Sequence, residues 1–126
     1  MDKKYLIMSF GYGLLGLVLG IYMAASKNHT QLVTHAHIML LGFVVSFIYA
    51  GCYKMWVVDI QLRLAKVQYY CHAVGSLILL VGLFLMYQQW AAEKVLGPVL
   101  GVSSIVVFIA MVLMKIQLIQ EFKANK

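Results

Sequence analysis

Four stretches of the chain contain no charged side chain: residues 5–26, 28–53, 67–92 and 95–114, of 22, 26, 26 and 20 residues. A helix rises about 1.5 Å per residue and a bilayer's hydrocarbon core is about 30 Å thick, so each stretch is long enough to cross it once. Together they take up 94 of 126 residues. Only 11% of the residues are charged and 63% are hydrophobic, where a soluble domain carries roughly a quarter charged. The expected fold is all-α: an integral membrane four-helix bundle, one domain over residues 1–126, with helices over about 5–26, 30–54, 64–90 and 95–118.

With connections of about ten residues there is no room for a nucleotide-binding fold, a phosphate loop or an extramembrane catalytic domain. Any chemistry lies within the bundle. The net charge of +6 does not point to nucleic acid, because the basic residues sit at helix ends, where they orient a membrane protein. Lys3, Lys4, Lys54, Arg63, Lys66, Lys115, Lys123 and Lys126 fall at one end, and only Lys27 and Lys94 at the other. The positive-inside rule then places both termini and the middle connection in the cytoplasm. Tyr53 and Trp56 are expected at the inner interface, His29 and Trp90 at the outer face. The apolar run after Met1-Asp-Lys-Lys is about 21 residues, longer than the 7 to 15 of a signal peptide, and reads as a retained first helix.

Gly16 with Gly20 and Gly97 with Gly101 have the G-x-x-x-G spacing that lets helix backbones approach closely, and Gly75 with Gly82 forms another small face. Such faces serve packing within the chain or a homo-oligomer. Pro98 is expected in the first turn of the fourth helix, and Ser103 and Ser104 are expected to bond back to helical carbonyls.

Ionisable residues inside a membrane are costly and usually functional. His35 and His37 stand in Thr34-His-Ala-His-Ile-Met-Leu-Leu-Gly42, and His72 in Tyr69-Tyr-Cys-His-Ala-Val-Gly75. The acids Asp2, Asp59, Glu93 and Glu121 fall in connections or tails, which argues against a carboxylate-based antiporter. Imidazole ligates haem iron, copper and zinc; a histidine near a helix end also serves simply by bonding a backbone carbonyl. Residues i and i+2 project about 200° apart, so His35 and His37 do not face one neighbour. Cys52 and Cys71 form no C-x-x-C pair, and they share a depth with His72, where thiolates and imidazole together suit an inner zinc or copper site.

The segment His35-Ala-His-Ile-Met-Leu-Leu-Gly-Phe-Val resembles the second helix of the haem-copper oxidase large subunit. Over about its first 85 residues the chain is similar to small bacterial four-helix proteins related to that subunit, through Gly16-x-x-x-Gly20-x-Tyr22-Met-Ala-Ala, the His-Ala-His block and the aromatic run in the third helix. The resemblance implies haem b binding in a bacterial inner membrane, with His35 matching the low-spin haem ligand and His37 the second histidine of the small-protein motif. Four helices in place of twelve lack the opposite haem ligand and the copper-site histidines, so a minimal oxidase or reductase is left as the enzyme alternative.

Helix arithmetic separates the candidates. His35 lies about 12 Å to one side of the second helix's midpoint and His72 about 10 Å to the other side of the third's, too far apart for one iron. At the depth of His35 the candidate partners are Tyr22, Met23, Met86, Tyr87, His37 or a histidine of a second copy. His72 enters a haem site only if the helix limits shift. The expected function is haem b binding for electron transfer, haem handling or gas sensing beside a respiratory-chain redox partner. Copper or zinc on His35 and His37, and a cofactor-free accessory subunit of a respiratory complex, are the alternatives.

Overall fold

A computed structural model of the chain describes residues 1–59 and 61–124; Lys126, counted above among the charges at the terminal end, lies outside the described residues. All regular structure among the described residues is helical. Four helices are long and apolar enough to cross a membrane: α1 (Asp2–Ser26), α2 (Leu32–Met55), α3 (Leu62–Tyr87) and α4 (Glu93–Ala124). The chain is a multi-pass membrane protein by this measure. α1 packs along α2 and α3 along α4, and α2 meets α3, so two helical hairpins lie side by side. One end, called here the terminal end, carries both termini and the α2–α3 connection; the opposite, turn end carries the two hairpin turns.

Those turns are tight. Lys27 closes α1 in the left-handed region at φ 56°, and Gln89 does the same after α3 at φ 59°. Asn28 follows, with Oδ1 accepting from the Thr30 amide at 3.1 Å and from the Thr30 hydroxyl. This Asx-type turn supplies backbone partners that a reversing chain otherwise loses.

The distribution of polarity is that of a protein dissolved in lipid. Leu14, Ile21, Val102 and Phe108 are each more than 60% exposed, while Ser9, Thr34, Ser46, Gln68, His72 and Ser76 are completely buried. With an apolar solvent outside, there is no hydrophobic drive to fill the interior with apolar groups; close packing and hydrogen bonds hold the helices instead.

Glycine faces make that close approach possible. A Cβ added at Gly13 would stand 3.2 Å from the Phe43 ring, and one at Gly20 would stand 3.0 Å from His35 Cε1. Gly75 and Gly82 admit Val107 and Leu100 of α4 in the same way. Gly97 and Gly101 face open space, so the small faces of α1 and α3 are used within the chain and that of α4 is not.

Three features of the helix layout depart from the sequence reading. α2 is interrupted by a π-helical segment, Ile38–Val45, between two α-helical pieces. α4 runs to Ala124 rather than to about 118, because Ser103, Ala110, Met114, Gln117 and Glu121 make one continuous buried face that its polar residues extend. It also starts at Glu93, which moves Pro98 from the first turn into the second, so the Lys94 carbonyl lacks its usual helical donor. Ser103 and Ser104 do bond back, both to the Leu100 carbonyl, at 3.1 and 2.7 Å.

Candidate functional site

The histidines separate into two environments. In the turn-end half, His35 is partly buried against α1, where its Nδ1 lies 2.8 Å from the Gly16 carbonyl. Gly20 one turn on has no side chain to push the ring away. His37 is exposed on the outside of α2, its Nδ1 2.9 Å from the Val33 carbonyl of the preceding turn. A carbonyl only accepts, so in each ring Nδ1–H is the donor, and in the neutral ring Nε2 keeps its lone pair. The two rings diverge, one into the α1–α2 seam and one away from the bundle, as their spacing predicts.

His72 sits in the other half, with no exposed surface. Its Nε2 pairs with the Ser46 hydroxyl at 2.8 Å and its Nδ1 with the Ser76 hydroxyl at 3.5 Å. Its ring packs against Tyr5 and Tyr49, with centroids 5.7 and 5.0 Å away. His35 therefore meets α1 at Gly16 and His72 meets it at Tyr5. Eleven residues of helix separate those positions by about 16 Å. The expected separation holds, and the two imidazoles do not converge.

Nor does the structure gather the other candidates around His35. Tyr22, 55% exposed, lines a groove of about 530 Å³ between α1 and α3, floored by Gln31, Thr34 and Ile38. Met86 lines a separate hollow at the α3–α4 turn with Tyr87 and Trp90. Neither is lined by His35 or His37. Cys52 is buried and Cys71 partly so, both as free thiols. Among the described residues, no three His, Cys, Asp or Glu side chains come together as a metal site would require, so Cys52, Cys71 and His72 form no such group.

What sequence reasoning did not find is a polar network linking all four helices in the terminal half. Gln68 of α3 is its hub. Its Oε1 accepts from the hydroxyls of Tyr5 at 2.5 Å and Tyr53 at 3.0 Å, and its Nε2 donates to the Ala110 carbonyl of α4 at 3.2 Å. Gln117 of α4 donates through Nε2 to the Tyr53 hydroxyl at 2.9 Å. Tyr53, expected at the membrane interface, is 4% exposed. Glu121, expected in a tail, is buried on α4, and its carboxylate accepts from the Asp59 amide at 3.3 Å. The missed signal was the pair of glutamines in otherwise apolar helical sequence, as costly there as a histidine unless paired.

Searches against protein-family models, curated proteins and solved structures find no match to this chain.

Proposed function

We propose that the chain is a haem b-binding membrane protein that holds its iron through the His-Ala-His segment of α2. The observation that carries this reading is the state of the two imidazoles: each commits Nδ1–H to a backbone carbonyl and leaves Nε2 as a lone pair. That is the arrangement of a metal-ligating histidine, whose second nitrogen is held by a carbonyl that fixes its tautomer. The residues fit haem as one axial ligand per chain. Exposure favours His37, since His35 is tucked against α1 while His37 faces outward, where a planar macrocycle has room. The opposite ligand then comes from a second copy, the histidine of a symmetry-related chain being among the partners weighed from the sequence. Bound haem would supply a one-electron carrier near the turn end, suited to a respiratory redox partner in a bacterial inner membrane.

Copper or zinc chelation by His35 and His37 within one chain is disfavoured because the rings diverge. A cofactor-free accessory subunit is the second reading, favoured by the fact that both rings already have a backbone partner. Absorption spectra of the protein in mild detergent, oxidised and then dithionite-reduced, separate the two. A Soret band with sharp reduced α and β bands is expected, lost in His37→Ala and kept in His35→Ala. The reverse pattern moves the ligand to His35. A featureless spectrum after expression with ample haem overturns the reading in favour of the accessory subunit.

A further inference from the structure

We infer that the terminal half of the bundle contains a hydrated, proton-accepting site, in which a short file of water joins a carboxylate-rimmed pocket at the terminal end to His72. The mouth is a pocket of about 120 Å³ between the α2–α3 connection and the end of α4, lined by Asp59, Gln61, Gln117, Gln120 and Glu121. That volume admits several water molecules. Gln117 belongs both to this pocket and to the buried network. It is 4% exposed, its Nε2 is spent on Tyr53, and its Oε1 is buried without a partner.

Two further buried oxygens are unpartnered, Tyr49 Oη and Ser9 Oγ. Tyr49 presents its ring to His72, and Ser9 lies one turn along α1 from Tyr5, whose ring also packs on His72. Three buried polar atoms without partners at membrane depth are unfavourable by about 1–3 kcal/mol each unless water completes them. Water does so at such positions, typically with about three hydrogen bonds. Of the three, Gln117 stands in the pocket wall, the Tyr49 hydroxyl belongs to a ring that packs on the imidazole, and Ser9 lies one turn from the other ring that does.

The chemistry is a proton hop in which only O–H and N–H bonds change. Hydronium at the mouth gives up a proton and is left as water, each water or hydroxyl along the file accepts one and releases one, and His72 ends with both ring nitrogens protonated and the positive charge moved onto it. Ser46 and Ser76 can turn from donor to acceptor to suit either form. Gln68 is outside this route: its amide is fixed by Tyr5, Tyr53 and Ala110, and an amide oxygen that only accepts does not pass a proton on. The titratable groups facing His72 are Tyr5 from α1 and Tyr49 from α2, phenols that stay neutral at physiological pH. From α4, Val106 and Val107 meet the next turn of α3, at Gly75. His72 is thus the most basic group of the cluster.

Histidine-labelled full-length protein in lipid nanodiscs tests this by NMR, the His72 signal being identified by its loss in His72→Asn. On transfer to D2O, the His72 ring N–H is expected to exchange at least about tenfold faster than the backbone amides of α3 on either side of it, without opening of the helix. Gln117→Leu, which closes the pocket wall with an apolar group, is expected to slow the ring about tenfold while leaving the exposed His29 unchanged. Ring and flanking amides exchanging together in the unsubstituted protein would overturn the inference whatever the variant does, as would a ring rate indifferent to Gln117→Leu.

Discussion

Tyr53 is the hydroxyl on which three helices depend, since it donates to Gln68 of α3 and accepts from Gln117 of α4 while standing on α2. Removing that oxygen takes the acceptor from the Gln117 Nε2 and one of its two donors from the Gln68 Oε1. Tyr53→Phe is expected to destabilise the protein by about 1–2 kcal/mol, the upper range for a hydrogen bond between membrane helices, read from thermal unfolding in detergent. Gln68→Leu should be worse, because it removes the side-chain acceptor of the Tyr5 and Tyr53 hydroxyls and the donor to the Ala110 carbonyl together. Glycine is the other single-residue determinant. A Cβ at Gly42 would fall 2.6 Å from Tyr12 Cγ and 2.8 Å from its Cβ, atoms too near the backbone to swing aside. Gly42→Ala is expected to cost about 1–3 kcal/mol as overpacking, whereas Gly101→Ala, with open space around it, is expected to leave the unfolding of the monomer unchanged. Equal effects of the two would show that the α1–α2 seam has slack.

At the scale of elements, the π segment of α2 sets the relation between the two candidate regions. His35 lies before Ile38–Val45 and Ser46, Tyr49 and Tyr53 lie after it, so the segment fixes the angle between a ring aimed at Gly16 and side chains aimed at His72 and Gln68. Deleting one residue there, Leu40 being exposed, turns one part against the other by about 100°. That deletion is expected to lower the melting temperature more than Leu40→Ala does; an equal effect would mean that the segment is only a local irregularity. The helices themselves were legible in the sequence, because absence of charge over about twenty residues is a statement about solvent and needs no partner. The π segment was not, because Ile38-Met-Leu-Leu-Gly-Phe-Val-Val45 has the composition of any apolar helix. The end of α4 was hidden for a related reason: Gln117 and Glu121 look like surface residues until α2 and α3 cover them. The His-Ala-His segment was visible as chemistry, and its divergence followed from spacing alone, but the Tyr5–Gln68–Tyr53–Gln117 network joins residues up to 112 positions apart and could not be assembled from local pattern.

For the molecule as a whole, topology and charge determine which solution each end meets. Four antiparallel spans put both termini and the α2–α3 connection at one end, whichever way the bundle is inserted. Eight basic residues belong to that end in the sequence and two to the other, and such an imbalance in short connections directs the richer end to the cytoplasm. A reporter active only in the cytoplasm, fused at either terminus, is therefore expected to be active, and the same reporter placed between Lys27 and Thr30 inactive. Lys3→Glu with Lys4→Glu should weaken the preference without reversing it, because Lys54, Arg63, Lys66, Lys115, Lys123 and Lys126 remain. Activity at the α1–α2 turn instead would invert the molecule, and with it the side from which His72 draws its protons. The same fusions thus decide between two physical systems: a cytoplasm-fed polar half beneath a histidine pair at the outer face, or the converse.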